Sequence, residues 1–508
     1  MVGFVDRFAP RWALRREVAR AQLDLLRERR AERNASAPYA PVGGGRRSRE
    51  FYRNSRDPHG TISGARQPLA YIARDMLRNN PRVTRANNLF AGYVVGSGIR
   101  PVVEMVSDED KGDKSRIEGL IEDHLLTTAI DADGHSTLFG MQNLALKTIP
   151  LSGEVLLRYR QRRSSDGLPL PFQIQCLETD YIAHTKHTLG SPQGRRIENG
   201  IEYGPTGAPE AYHLYANHPG SQYGTGDIRR VLAENIAHAF LVDRPGQRRG
   251  VSWYAPVMAE LHDLHKFMQG TLKRQEVAAM FAGILKRNGD DDAGDELKDA
   301  ILEVEAGGIL ELQDTDEMEF NDPPSAQSAE PIVKIIDRVI ASGLMLTYEG
   351  FSGDYSQVNY TSGRMGRMDQ DPMIQFWQNE LAIARLMGPV TRWFKEALYF
   401  KTFIEPDKYR LRWTAPRRPV VDPTKDYPAL IRKIRGGLAT RADVIREMGQ
   451  DPERIWNEWS GWAARDDEAG LVFDSDPRRV SLSGVAQAKA AGANAANETL
   501  TDEDETDD

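Results

Sequence analysis

The sequence predicts an α+β protein in which a mixed first half is followed by long helices. Three observations indicate this class. The segment up to residue 250 contains both helical and strand patterns of apolar residues. After Pro256 apolar residues recur every three or four positions, as in a helix. A second helical pattern begins after Pro324. With 508 residues, of which 40% are hydrophobic and 28% charged, the chain is long enough for two or more modules.

The first half combines predicted helices with predicted antiparallel strands. Apolar periodicity and turn residues define each element. Helices are expected near Pro68 to Val95, Lys114 to Leu126 and Ser136 to Pro150, and strands near Val155 to Arg163, Pro171 to Ile182, a hairpin from Gly200 to Tyr215 turning at Gly204 to Gly207, and a strand from His238 to about Val242.

Two amphipathic helices are expected to bracket a small insertion. The first extends from Pro256 to about Arg287, roughly 45 Å of helix. The second follows Pro324, and a short helix and a small hairpin around Asp314 to Asp316 lie between them. Neither helix can bury its apolar face on so small an insertion, so each must pack on the other or on a neighbouring subunit. The pattern therefore predicts an oligomer.

The rest of the second half is predicted to form a loop followed by helices. A Gly- and Ser-rich loop follows Tyr348, and a helix is expected from about Arg364 to Phe400 with interruptions at Pro372 and Pro389. Two short helices separated by Gly436 and Gly437 are expected within residues 425–470.

Charge and composition limit the function. The 66 Lys and Arg residues against 74 Asp and Glu give a net charge of -8, which disfavours a protein that grips DNA through many phosphate contacts and permits one that lets DNA slide. No apolar run is long enough to span a bilayer and no secretory signal is present, so synthesis in the cytoplasm and no membrane contact are expected. The single cysteine, Cys176, is expected to be a buried inert thiol.

Several possible chemical sites are rejected on their spacing. His262 and His265 lack an HExxH arrangement, and His184 and His187 have no third ligand nearby in sequence, so neither pair predicts a metal. The VVGSGIR segment is followed at once by Pro101, which blocks the helix that a dinucleotide turn needs, and neither a Walker A motif nor a GxSxG elbow occurs. The carboxylates Glu154, Glu178 and Asp180 are read as solvated charges at a sheet edge, not as a Mg²⁺ site.

Six short motifs occur in a recognisable order over residues 10–365. Together they resemble the lambda family of bacteriophage portal proteins, in which an Arg-Pro-Gly-Gln-x-Arg-Gly turn introduces a long helix. The motifs are PRWALRR (Pro10 to Arg16), ARDMLRNN (Ala73 to Asn80), VVGSGIR (Val94 to Arg100), LSGEV (Leu151 to Val155), RPGQRRG (Arg244 to Gly250) and NYTSGR (Asn359 to Arg364).

The resemblance implies a portal-protein fold and supplies names for its parts. The wing is a mixed α/β domain, the stem consists of the two long helices, the clip is the small α/β insertion, and the crown is helical. The implied boundaries are 1–50 for a basic helix and flexible strap, 51–250 for the wing, 251–287 for the first stem helix, 288–324 for the clip, 325–348 for the second stem helix, 349–363 for a tunnel loop, 364–424 for a kinked helix and wing return, 425–475 for the crown and 476–508 for a disordered acidic tail.

The resemblance also implies a function and partners. It implies a head-tail connector of the virion, a twelve-subunit ring at one capsid vertex that passes double-stranded DNA without sequence specificity during packaging and ejection. Implied partners are the large terminase, the major capsid and scaffold proteins, and head-completion or adaptor proteins. No enzyme activity and no cofactor are expected. The alternative is a metal-dependent DNA-processing enzyme such as a nuclease, which would use the three carboxylates named above.

Three residue groups are predicted to carry this function. The tunnel loop and the wing-stem turn follow from the resemblance, and the stem contacts follow from apolar periodicity. The groups are Asp354, Tyr355, Ser356, Gln357, Asn359 and Tyr360 in the tunnel loop; Leu261, Leu264, Met268, Ile335, Ile336 and Val339 in contacts between subunits; and Arg244, Gln247, Arg248 and Arg249 in the turn.

Overall fold

The computed structural model describes residues 57–107, 111–188, 194–280, 284–287, 316–319, 329–420 and 422–473, with residues 476 and 478. The chain divides into two compact units, residues 1–64 with 244–248 and residues 65–243 with 249–508. The predicted strap at 1–50, nearly all of the predicted clip and nearly all of the acidic tail lie outside the described residues. In the first unit, helix α1 (Pro58–Ser63) begins where the Asp57 side chain caps the backbone N–H of Gly60.

The second unit contains helices and antiparallel sheets, which confirms the predicted α+β class. Its first half contains α2 (Arg66–Asn79), α3 (Pro81–Val94), β1 (Arg100–Met105), α4 (Lys111–Leu120), α5 (Leu138–Ser152), β2 (Glu154–Gln161), β3 (Phe172–Leu177), β4 (Arg196–Glu198), β5 (Ile201–Tyr203), β6 (Pro209–Tyr215), β7 (Ile228–Leu232) and β8 (Ile236–Phe240). Its second half contains α6 (Met258–Met280), β9 (Ile284–Arg287), β10 (Asp316–Glu319), α7 (Ala329–Gly343), α8 (Tyr348–Ser352), α9 (Tyr360–Phe376), α10 (Gly388–Thr402), β11 (Tyr409–Thr414), α11 (Pro423–Arg435), α12 (Arg441–Glu447) and α13 (Pro452–Ala469).

The strands of this unit form antiparallel sheets. One has the order β3-β2-β8 and another the order β4-β5-β6-β7, in which the hairpin between β5 and β6 turns at Gly204 to Gly207 as predicted. The main apolar core lies between the β3-β2-β8 sheet and the helices, and a smaller one includes Leu156, Ile201 and Tyr212. β1 pairs with β11, more than 300 residues later, which no local pattern predicted.

The helix predicted from Pro68 to Val95 is two helices. Asn80 separates them in an extended conformation, with φ -122° and ψ 110°, and its side chain caps α3. Pro81 explains the break, because a proline disfavours helical geometry in the residue before it and suits the first turn of a new helix.

The helix predicted from Arg364 to Phe400 begins earlier and is not interrupted at Pro372. α9 begins after Asn359, whose side chain and that of Ser362 form a reciprocal cap. A π-helical segment, Trp377–Met387, then joins α9 to α10, and Pro389 lies in the first turn of α10. The NYTSGR motif is therefore a helix start, so the loop predicted to reach residue 363 ends at Asn359.

The first stem helix ends earlier than predicted. α6 stops at Met280, and residues 284–287 form β9, which pairs antiparallel with β10. β10 lies in the second half of the hairpin predicted around Asp314 to Asp316, and the first half of that hairpin lies outside the described residues. The short apolar run Ile284–Leu285 fits a helix and a strand equally well by spacing, so periodicity alone could not decide between them.

Two further segments differ from expectation. The region after Tyr348 is partly helical, because α8 occupies 348–352 and leaves only 353–359 as a loop. Residues 425–470 contain three helices: Gly436 and Gly437 separate the first two as predicted, and residues 448–451 separate the second from the third. None of the described helices is both long enough and apolar enough to cross a membrane.

Candidate functional site

The buried carboxylate of Glu154 joins two of the sequence motifs. It accepts hydrogen bonds from Arg249 Nε at 2.9 Å and Nη2 at 2.5 Å, from Arg66 Nη1 at 2.9 Å and from the backbone N–H of Gly250 at 3.0 Å, and it lies 3.0 Å from His238 Nε2. Glu154, at the start of β2, is fully buried. Burial alone would raise its pKa, but the guanidinium groups of Arg249 and Arg66 outweigh burial and hold the pKa well below its usual range.

The backbones of the same two motifs also meet. A Cβ added at Gly250 would lie 2.0 Å from the carbonyl oxygen of Gly153, and one added at Gly153 would lie 2.3 Å from the backbone of Val251. Gly153 has φ +84° and ends α5 in a left-handed conformation. Residues 153–154 and 249–251 therefore form one packed junction between the start of β2 and the segment that leads to α6.

The carboxylates that could have formed a nuclease site are each paired with arginine. Glu154 and Asp180 are buried, so the expectation of solvated edge charges is wrong for both. Arg74 Nη2 lies 2.5 Å from Asp180 and its Nε 3.4 Å from Glu178, while His218 Nε2 is 3.2 Å from Glu178. Glu178, Asp180 and His218 could in principle hold a cation, but the Arg74 guanidinium already supplies the positive charge there.

The remaining rejected residues have ordinary structural surroundings. The Cys176 thiol is partly buried against the core, and burial, with Asp131 and Glu178 nearby, raises its pKa to about 12. This supports the expectation of an inert thiol, because the thiolate is the reactive form. His262 and His187 are exposed, and His265 contacts Gln269 at 2.9 Å. β1, a strand and not a helix, follows the VVGSGIR motif.

Two of the six stem residues predicted to contact a neighbouring subunit lie inside this chain. Leu261 and Leu264 on α6 are buried in the main core, so the expectation for them is wrong. Ile336 is partly buried against the same core. Periodicity correctly identified an apolar face on α6 but could not show that the wing and α7 cover its first half.

The second stem helix presents an uncovered apolar row. Arg82 holds the inner face of α7 through a two-pronged ion pair with the buried Asp337, at 2.6 and 3.0 Å. On the opposite face, Ile332, Ile335 and Val339 are exposed at spacings of three and four residues. Met268 and Leu272 of α6 are exposed as well. These five residues, called here the stem row, are apolar surface that the described part of the chain leaves open.

The predicted tunnel-loop residues divide into two groups. Asp354 and Asn359 hold local structure: Asp354 accepts hydrogen bonds from Ser356 and Tyr348, and Asn359 caps α9. Tyr360 is the first residue of α9 and is partly buried, with the Lys425 ammonium 4.4 Å from its ring centre. Tyr355, Ser356 and Gln357 are exposed. α8, the helix that precedes the loop, is held in place by Arg85, whose Nε donates to the carbonyl of Gly350 at 2.7 Å.

The turn at Arg244 to Arg248 is closed by its own residues. The Gln247 backbone N–H donates to the Arg244 carbonyl at 3.1 Å, and the Gln247 side-chain oxygen accepts from the Arg244 N–H at 3.2 Å. Arg244 is exposed, whereas Gln247 is buried. Arg249, the fourth residue predicted for this turn, instead forms the buried ion pair with Glu154.

Comparison with known proteins agrees with these motifs. Residues 44–378 match the family model described as phage portal protein, lambda family. The probable portal protein of Halomonas phage phiHAP-1 is 26% identical over 349 residues, covering 65% of this chain and 66% of that protein, just under two thirds of its length. Portal protein B of Escherichia phage lambda is 21% identical over 440 residues, covering 76% and 81%. A chain from the neck of a native gene transfer agent particle computed with C12 symmetry shows 14% identity and a TM-score of 0.46, covering 77% and 98%.

Because the matched segment covers well over half of the chain, this protein belongs to the lambda family of phage portal proteins.

Proposed function

We propose that copies of this chain close into a twelve-subunit ring at one capsid vertex, through which double-stranded DNA enters during packaging and leaves during ejection. The observation that carries the ring is the stem row, an apolar surface on both stem helices that the described residues of the same chain leave uncovered. A closed ring covers this row on every copy, because each subunit presents the same two faces to its neighbours.

The other partners follow from the portal role. The clip, residues 288–324, would meet the large terminase during packaging and head-completion or adaptor proteins afterwards, and the wing would meet the major capsid and scaffold proteins. The protein would be made in the host bacterial cytoplasm and end in the virion. The net charge of -8 disfavours a tight grip on DNA through many phosphate contacts and permits a ring through which DNA slides.

An enzymatic function is not favoured by the geometry. A two-metal nuclease site needs convergent free carboxylates. Here Glu154 is bound by Arg249 and Arg66, and Glu178 and Asp180 are bound by Arg74. We expect no Mg²⁺-dependent cleavage of duplex DNA by the purified protein, and activity lost on Asp180→Asn would contradict this.

Size measurement tests the ring. Light scattering with chromatography should give about 680 kDa for twelve copies of the 57.0 kDa chain, and electron micrographs should show rings with a central channel. The double variant Ile335→Glu, Val339→Glu should shift the mass toward the single chain, since it places charge in the stem row. Asn88→Glu, an exposed change on α3, is the control and should leave rings intact. A wild-type protein that stays at 57.0 kDa in every buffer would overturn the proposal.

A further inference from the structure

The crown helices have almost no core of their own. α11 and α13 contain no buried residue, and α12 contains only one, Val444. Short helices gain most of their stability from packing an apolar face, so helices with so little burial are marginal as they stand. Something outside the described part of this chain must cover them.

Both outer crown helices carry an exposed apolar row. On α13, Trp456, Trp459 and Trp462 follow one another at intervals of three residues and are 69%, 47% and 63% exposed. On α11, Tyr427 and Ile431 are four residues apart and both exposed. Tryptophan and tyrosine in contiguous exposed rows are typical of protein interfaces. Since Ile431 and Trp462 are both exposed, the two rows do not cover each other within one chain.

The two rows end in opposite charges. α11 finishes with Arg432, Lys433 and Arg435, and only Lys433 is paired within the described residues, with Glu447 at 3.2 Å. α13 finishes with Asp466, Asp467 and Glu468. Acidic groups at a helix C-terminus are disfavoured by the dipole of their own helix, so a cation from elsewhere would stabilise them. Of the three, Asp467 lies 3.2 Å from the guanidinium of Arg478, which also pairs with Asp476.

The spacing of charge and apolar residue is the same on both helices. Arg435 follows Ile431 by four positions, and Asp466 follows Trp462 by four positions. Parallel packing of α11 against α13 with Ile431 opposite Trp462 therefore also places Arg435 opposite Asp466, one helical turn further on.

We infer that the crown is an interface between copies of this chain, in which the tryptophan row of α13 is covered by α11 of the adjacent subunit. We assign the covering partner as a second copy because one chain carries both complementary surfaces. α11 has an apolar row ending in a base, and α13 has an apolar row ending in an acid at the same spacing. The contact is head-to-tail, so it repeats around a ring. Every subunit then uses α11 toward one neighbour and α13 toward the other. This inference rests on the proposed ring and goes beyond it by naming a contact outside the stem.

Cross-linking between single-cysteine chains tests the contact directly. In a Cys176→Ser background, chains with Ile431→Cys and chains with Trp462→Cys are assembled as a mixture and treated with a short bis-maleimide. A dimer band on a denaturing gel is expected from the mixture, and none from either chain alone. Mixing separate chains excludes a cross-link within one chain. Leu144→Cys, exposed on α5, replaces Trp462→Cys in the control mixture and should give no dimer.

Charge reversal provides a second, independent measurement. Arg435→Glu should lower the dimer yield of the mixture, and adding Asp466→Arg on the other chain should restore it. Rings in micrographs with no dimer band would overturn the inference while leaving the proposed function intact. A dimer from one single-cysteine chain alone would also overturn it, because a head-to-tail contact does not bring identical residues together. Absence of rings in the wild type would instead count against the proposed function.

Discussion

Glu154 and Arg249, 95 residues apart, form a two-pronged ion pair in the interior of the wing, with Nη2 to Oε1 at 2.5 Å and Nε to Oε2 at 2.9 Å. Arg66 adds a second guanidinium at 2.9 Å. The pair connects the LSGEV motif, where β2 begins, to the RPGQRRG motif, which introduces the stem. The acid in one motif and the base in the other satisfy each other's charge where water is excluded.

Removing the Glu154 charge should destabilise the wing strongly. Glu154→Gln leaves Arg249 and Arg66 buried without a counter-charge, and breaking one side of a buried pair costs about 3–5 kcal/mol. The measurement is thermal or urea unfolding of the purified protein. The matched control is Asp75→Asn, which removes an exposed partner of Arg78 and should change stability by less than about 1 kcal/mol. Equal effects of the two variants would contradict the part assigned to the pair.

The exposed end of the loop at 353–359 should affect DNA without affecting assembly. The side chains of Tyr355 and Gln357 are exposed, whereas Asp354 orders the loop. We expect the double variant Tyr355→Ala, Gln357→Ala to form normal rings but to package or retain less DNA. The reason is that it removes the side chains with which, in our proposal, the loop narrows the channel around the DNA. Tyr223→Ala, at a tyrosine between β6 and β7 that is more exposed than Tyr355, is the control and should package normally. Unchanged DNA retention in the double variant would remove the tunnel-loop assignment.

Acid should destabilise the wing partly through His124. This ring is buried against Phe172 at 4.9 Å, and burial lowers its pKa to about 4 from an ordinary value near 6.5. Between these values the unfolded chain binds a proton that the folded chain does not, so stability falls as pH drops from 6.5 toward 4. Within this pH range, protonation of His124 in the unfolded chain lowers the free energy of unfolding by at most about 1.4 kcal/mol per pH unit, the limit for a single titrating group.

The variant His124→Phe isolates this contribution. Its free energy of unfolding relative to wild type should improve as pH falls through that window, because phenylalanine has no proton to bind. His262→Phe, at an exposed position of α6, serves as the control, and its difference from wild type should stay nearly constant. A parallel pH profile for wild type and His124→Phe would contradict the assignment.

The sequence by itself determined the α+β class, the hairpin at Gly204 to Gly207, the existence of both stem helices and the motifs that define the family. These are local properties, since period, turn residues and capping residues act within a few positions. Periodicity also correctly gave one apolar face to each stem helix.

Only the tertiary structure decided what covers each face and which distant groups meet. Leu261 and Leu264 share a periodic face with Met268, yet the first two are internal and the third is exposed. The residues next to Glu154 in sequence do not distinguish it from an exposed acid at a strand end. The sequence of β1 likewise does not indicate that its partner is β11. The physical reason is that burial and pairing depend on what packs from elsewhere in the chain, which a pattern of a few residues does not contain.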